Sequence, residues 1–219
     1  MNRLESRDFF GMKIAPISRR NAMEIVVSSH YLHRKCPASF CFGLFKGLDI
    51  LGVIVYGTPS SSPLRKGICG VEEAGNVIEL TRLWVDDSVP ANGESFLIGN
   101  TLSLIDKEIV VSFADTSMSH LGVVYQATNW IYTGLSAKRT NWTIEGIDLH
   151  CQTLADKYTS KEIRAFYGEK FCLKERSRKH RYIYINARSK KRKKELIEKL
   201  RYPSLPYPKR QPEEEETND

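Results

Sequence analysis

Two β-forming runs, Phe40–Lys46 (FCFGLFK) and residues 50–56 (ILGVIVY), are joined only by Gly47, Leu48 and Asp49. Runs rich in aromatic and β-branched residues across so short a glycine-containing link pair as an antiparallel hairpin. A sheet is therefore required, and the next apolar segment extends it. Residues 76–85 (NVIELTRLWV) alternate and are dense in strand formers. The loop 86–94 (DDSVPANGE) then leads into residues 95–106, where Phe96, Leu97, Ile98, Leu102 and Ile105 recur at helical spacing. A strand thus runs through a loop into the start of a helix.

Around this centre the pattern alternates between helix and strand. A first helix is expected over residues 18–29, with Ala22, Ile25 and Val26 on one face behind a Ser18 cap. Residues 58–66 read as turn-rich, 108–114 (EIVVSFA) as a buried strand and 122–130 (GVVYQATNW) as a short helix before a Thr133-Gly134 turn. A further strand is expected over 141–149, and a capping box at Thr159 and Glu162 opens a helix through Tyr167. Residues 178–186 (RKHRYIYIN) form a strand and 190–200 a basic helix, whereas three prolines forbid a helix in 202–209 (YPSLPYPK). The class is mixed α/β (α+β).

Length and composition narrow the function. The 219 residues suit one domain with an extension, and mean hydropathy of -0.37 with no long apolar run argues against a membrane-spanning chain. Five cysteines without a CxxC pair argue against a disulfide framework or a zinc finger, and the MNRLESRDFF start lacks signal-peptide organisation, so a cytoplasmic location is expected. The net charge of +7 is a sum of unlike parts. Residues 1–156 carry 14 Lys+Arg against 16 Asp+Glu, residues 157–210 carry 19 against 5, and 211–219 carry none against 5. These divisions are read as a near-neutral core, a basic extension packed on it, and a disordered acidic tail. A block at +14 points to a polyanion, most simply DNA.

Four constellations carry candidate chemistry. The strand, loop and helix around residues 76–106 offer a helix N-terminus to an anion, with Arg82 and Ser95 assisting; an ordinary connection is the alternative, since Asp86, Asp87 and Glu94 repel anions. His30 and His33, in HYLHR, share a helical face and suit metal binding or base chemistry, or else simply favour a helix C-terminus. Asp115 ends a strand before His120 and the helix bearing Tyr125, where it could face a ligand and Tyr125 could donate a proton; alternatively Asp115 caps the next helix and Tyr125 packs beneath the sheet. The fourth is the cationic series Lys174, Arg176, Arg178, Lys179, Arg181 and then Lys190, Lys191, Arg192, Lys193, Lys194, interleaved with Tyr182 and Tyr184.

The stretches HYLHRKCPASFCFGLF, LGVIVYGTPSS, VIELTRLWVDD followed by SFLIGNTL, VSFADTSMSHLGVVYQATNWIYTG, RYIYI and PYPK span most of residues 30–209. In them the chain resembles the bacteriophage Mom-type DNA adenine modification proteins of the GNAT (N-acetyltransferase-like) superfamily. The resemblance implies a GNAT-like mixed, splayed sheet flanked by helices, and transfer of a methylcarbamoyl-type group to the N6 amine of adenine in DNA, protecting it from host restriction. It implies catalytic roles for His30, Tyr31, Asp115 and Tyr125, donor contacts from Arg82 and Ser95, and iron held by His30 and Asp115. PANGES (residues 90–95) lacks the glycine-rich loop of acetyltransferases, so an acyl-CoA-like donor rests on superfamily analogy alone. The expected partner is double-stranded DNA inside the bacterial host cytoplasm, with no membrane, and a homodimer is compatible. The rival readings are a conventional acyl-CoA-dependent N-acetyltransferase and a non-catalytic DNA-binding protein.

Overall fold

The computed structural model describes residues 9–147 and 158–210. Nine strands and six helices follow one another as β1 (Met12–Pro16), α1 (Arg19–Ser29), β2 (Phe40–Lys46), β3 (Asp49–Gly57), α2 (Ser62–Cys69), β4 (Val77–Val85), α3 (Gly93–Thr101), β5 (Ile109–Asp115), α4 (Val123–Ala127), β6 (Ile131–Leu135), β7 (Thr140–Ile144), α5 (Ser160–Tyr167), β8 (Phe171–Glu175), β9 (Lys179–Ile185) and α6 (Lys190–Glu198), counted among the described residues. Seven strands make the main sheet in the order β1-β2-β3-β4-β5-β9-β6, and β7 and β8 form a separate two-stranded sheet. The expected mixed, splayed sheet flanked by helices is present. No helix among the described residues is long and apolar enough to cross a membrane.

Side chains alternate between the two faces of the sheet, and each face has its own helices. On β3, Ile54 and Tyr56 join the large cluster that takes in Leu97 and Ile98 of α3 and Tyr125 of α4. Val53 and Val55 meet Ala22, Met23 and Val26 of α1 on the opposite face. Further along that second face, Val77, Ile109, Val111, Ile183 and Ile185 pack on Ile68 of α2 and Leu196 of α6.

Every pairing in the main sheet is antiparallel except one. β4 and β5 run parallel, and they pair only through Val77 with Ile109, Ile78 with Val110 and Glu79 with Val111. Beyond Glu79 the two strands diverge, although β4 continues to Val85 and β5 to Asp115. The sheet forks there.

Several expectations need correction. Residues 58–66 are not all turn: Ser61 accepts the Leu64 N–H at 3.2 Å and, with Pro63 in the first turn, starts α2. Thr133-Gly134 is not a turn but part of β6, whose register shifts between Tyr132 and Leu135. Helix α3 starts at Gly93 and ends at Thr101 rather than spanning 95–106. The strand expected over 141–149 is β7, Thr140–Ile144; residues 148 and 149 lie outside the described residues, as does the tail 211–219. Strands β1 and β8 had no counterpart in the sequence reading. Residues 157–210 are also not an appendage, because β9 lies between β5 and β6 and completes the sheet by pairing with both.

Candidate active site at the fork of the sheet

The fork opens a cleft of about 1660 Å³ lined from both faces of the sheet. A β-bulge decides which side chains enter it. Across β3 and β4, Val55 faces Arg82 while Tyr56 faces Leu80, so Thr81 is an extra residue on β4. Strict alternation would put residues 79 and 82 on opposite faces; the added residue puts them on the same one. Glu79 is opposite Val111 and Arg82 opposite Val55, and both partners pack on the face covered by α1, α2 and α6. Glu79 and Arg82 therefore enter the cleft together.

Glu79 was not among the residues singled out from the sequence. It is half-buried at the last pair before the strands diverge, and burial pushes its carboxyl up to about 7 against the pull of Arg82 and Lys179. A group that titrates near neutrality inside a cleft suits proton transfer. The available signal was one carboxylate, three positions before Arg82, in a strand otherwise dominated by apolar residues.

Arg82 donates from Nη1 to the Thr81 carbonyl at 2.6 Å and from Nη2 to the Arg34 carbonyl at 3.5 Å, while its buried Nε has no partner. A guanidinium with an unused donor in a cleft is suited to an anionic group. Ser95 does not join it. It occupies the third position of α3 and is not among the cleft-lining residues, whereas Glu94 and Asp87 are.

His30 ends α1, is 6% exposed and lines the cleft. Burial, followed by the charges of Arg82, His33 and His120, lowers its pKa to about 4, so the ring is neutral at pH 7. Its Nδ1 accepts the Leu32 N–H at 3.1 Å, which leaves the proton on Nε2. His30 is thus a hydrogen-bond donor toward a ligand rather than a base. Tyr31, 42% exposed, stacks on it at 4.4 Å and meets His120 edge-on at 5.6 Å. Burial and then Asp115 raise the Tyr31 pKa.

Asp115 is buried at the end of β5 and is not itself among the cleft-lining residues, although its partners Lys179 and Ser177 are. Its Oδ2 pairs with Lys179 Nζ at 2.9 Å, and its Oδ1 accepts from the Ser117 N–H at 3.1 Å and from the hydroxyls of Ser117 and Ser177, each at 2.8 Å. Burial alone would raise its pKa, but Lys179 and the two serines hold it at about 2. Asp115 caps the turn that follows it, the structural alternative weighed above. It is a poor proton acceptor.

Tyr125 takes the other alternative only in part. It packs on Trp130 and Tyr182 at 5.1 Å, yet its ring also lines the cleft. Its hydroxyl accepts from Ser112 at 2.8 Å, and burial pushes its pKa up to about 12, with Tyr31 and Glu79 adding to the rise. The phenol stays protonated. Gly122 makes this wall possible: its φ is +72°, and a Cβ there would lie 2.5 Å from the Tyr182 ring.

The iron site implied by resemblance does not fit these residues. His30 spends Nδ1 on Leu32 and Asp115 is paired with Lys179. No group of three His, Cys, Asp or Glu side chains suited to a metal occurs among the described residues.

The cationic series does not form one surface. Arg192 is an internal hub, 2.6 Å from Glu73 and within 2.9 Å of Glu108 and 2.8 Å of Glu195; it is therefore not a free phosphate contact. Arg178 donates to the Ser136 and Leu135 carbonyls, and Arg181 to Thr133 while lying 3.5 Å over the Tyr202 ring. Lys174, Lys190, Lys191, Lys193 and Lys194 are exposed, but none lines the cleft. The cations that do are Arg82, Arg139, Arg176, Lys179, Arg181, Lys209 and Arg210, seven against Glu79, Asp87 and Glu94 among the described residues. Arg139, Lys209 and Arg210 were missed because they stand outside the densest run.

Comparison with known proteins agrees with this chain-wide pattern. The model of the Mom protein family matches residues 11–209. The methylcarbamoylase mom of Escherichia phage Mu is 32% identical over 210 residues, covering 90% of this chain and 84% of that protein. Among solved structures, a GNAT-family acetyltransferase from Bacillus cereus is 13% identical with a TM-score of 0.44, covering 81% of this chain and 99% of its own. The acetyltransferase yncA of Salmonella typhimurium, solved with acetyl-CoA, is 8% identical with a TM-score of 0.46, covering 82% of this chain and 96% of its own. The extent of the family match and the identity to the phage Mu protein establish that this chain belongs to the Mom protein family.

Proposed function

We propose that this protein transfers a methylcarbamoyl-type group to the N6 amine of adenine in double-stranded DNA and so protects phage DNA from host restriction. The observation that carries this reading is Glu79, held near neutrality at the fork of the sheet in a cleft with more cations than anions. Family membership and the name of the phage Mu relative support the group transferred.

The cleft exceeds the roughly 300–1,000 Å³ of a typical single-ligand pocket, so a donor and an extruded base fit side by side. Tyr31, exposed and backed by His30, is the surface on which the adenine stacks. Glu79 takes the proton that the amine loses as its nitrogen bonds to the carbonyl carbon, while the bond from that carbon to the sulfur of the acyl-CoA-like donor breaks and the thiol leaves. The Nε2–H of His30 donates to the carbonyl oxygen as it gains charge, and Arg82 turns its unused Nε to the anionic part of an acyl-CoA-like donor. Tyr125 protonates the departing group or holds the base edge.

Mass spectrometry of nucleosides from DNA of cells expressing the wild-type protein tests the reading. A modified adenosine that disappears in Glu79→Gln is the expected result. Unmodified adenine in cells that accumulate folded protein overturns it.

A further inference from the structure

Residues 136–178 connect β6 to β9, two neighbours in the main sheet, and their described strands do not join that sheet. Instead β7 and β8 pair over five residues each, and α5 covers them. Ile144 and Ile163 are the buried centre of a separate small core, with Trp142 and Phe171 stacked at 5.8 Å beside them. The described part of the connection thus carries a small core of its own.

The two stems of this unit reach the cleft. Ser136, Ala137 and Arg139 on its first stem line the cleft, as do Arg176 and Ser177 on its second. Its described residues hold eight Lys/Arg against four Asp/Glu. It also displays what a folded surface normally hides. Phe166 is 86% exposed, the most exposed aromatic among the described residues, while its neighbour Tyr167 packs into the small core. Leu173 is 63% and Tyr158 52% exposed on the same unit. An exposed apolar side chain on a folded, cationic support suits insertion between stacked bases, where phosphates flank an apolar interior.

We propose that Phe166 is a wedge that enters the DNA base stack and helps deliver an adenine to the cleft, making it a positioning residue rather than a catalytic one. This rests on the reading of the protein as a DNA adenine modifier, whose target amine lies inside the duplex. Extruding a paired base costs roughly a few kcal/mol, and least when the base is unpaired. The wedge is therefore needed for paired DNA and dispensable for single strands.

The test compares wild type with Phe166→Ala, whose exposed position leaves folding intact, and with Phe166→Trp. Modification is measured on a duplex and on the same sequence as a single strand. The expected result is a duplex-to-single-strand ratio roughly ten- to a hundredfold lower in Phe166→Ala, the rate equivalent of the extrusion cost, with most of it restored in Phe166→Trp. An unchanged ratio overturns the wedge, whether both activities fall together or neither does. A second readout needs no catalysis: emission from 2-aminopurine substituted for adenine in a duplex rises when wild type binds and stays low with Phe166→Ala. If that contrast appears without any modified product, the wedge stands and the transferase reading falls. If wild type leaves the 2-aminopurine stacked, the wedge falls.

Discussion

Lys179 Nζ lies 2.9 Å from Asp115 Oδ2, so the end of β5 is pinned to the start of β9 by an ion pair whose two side chains are only 11% and 24% exposed. Ser177 adds a 2.8 Å hydrogen bond to the same carboxylate from the stem of the inserted unit. The pair is a fastening beside the cleft, and its loss should be read in stability before activity. The Asp115 pKa is about 2 in the folded chain against an ordinary 3.8. A depressed carboxylate pKa contributes stability above the unfolded value and loses it as pH falls toward the folded one. Asp115→Asn is therefore expected to cost about 2 kcal/mol at pH 7, and this difference should shrink steadily between about pH 4 and 2. Urea denaturation of both proteins at pH 7 and pH 3 measures it, and an equal gap at both pH values contradicts the ion-pair account.

Glu79 has the opposite sign. Its pKa rises from 4.5 to about 7 on folding, so the stability it confers in the neutral form is complete below the unfolded value and is lost as pH rises through 7. Glu79→Gln should match wild type near pH 4 and exceed it by about 3 kcal/mol well above pH 7. Activity should move the other way, falling at least about a hundredfold and losing the rise through neutrality that ionised Glu79 gives to wild type. A Glu79→Gln enzyme with a wild-type pH profile rules out Glu79 as proton acceptor.

Arg192 sits in the most basic run of the chain, yet its role is internal. Glu73, 4% exposed, is held by Arg192 and Lys199 and has its pKa lowered to about 2, chiefly by the bond to Arg192. Arg192→Ala leaves a buried carboxylate with half its support and is expected to destabilise the fold by about 3–5 kcal/mol. The salt dependence of DNA binding at a temperature where the variant is folded should match wild type. A shallower slope with unaltered stability would return Arg192 to the phosphate-binding set.

What local pattern encodes was legible, and what pairing across the sheet encodes was not. The β2–β3 hairpin, β4, α1, the Thr159–Glu162 capping box and β9 are all set by neighbours in sequence. Gly134, at φ +85°, signalled a turn because glycine permits that conformation, but the same freedom serves the irregularity within β6. β8 is exposed along most of its length and so shows no alternation. Glu79 escaped for a related reason. Counting by twos from Arg82 sends residue 79 to the opposite face, and only the extra residue at Thr81, created by pairing with Val55 and Tyr56, brings it back. His30, Arg82 and Tyr125 stand in local constellations and Tyr31 enters with the family resemblance, and all four line the cleft. The charge of residues 157–210 located a cationic region without revealing that Arg178, Arg181 and Arg192 are occupied by protein partners.

That last distinction separates two places where DNA can bind. Arg139 and Arg176 are exposed, lie beside each other through the 2.8 Å bond from the Arg176 N–H to the Arg139 carbonyl, and line the cleft. Lys190 and Lys191 are equally exposed on α6, whose buried Leu196 packs against the α2 side of the sheet, and they do not line it. Each phosphate neutralised contributes about −0.9 to the slope of log K against log salt. If the duplex lies across the cleft, Arg139→Ala with Arg176→Ala should make the slope shallower by about 1.8, while Lys190→Ala with Lys191→Ala leaves it within error of wild type. Fluorescence anisotropy over a salt series measures both pairs. The reverse outcome would place the DNA on α6, and delivery of an adenine from there to Glu79 would demand a different path.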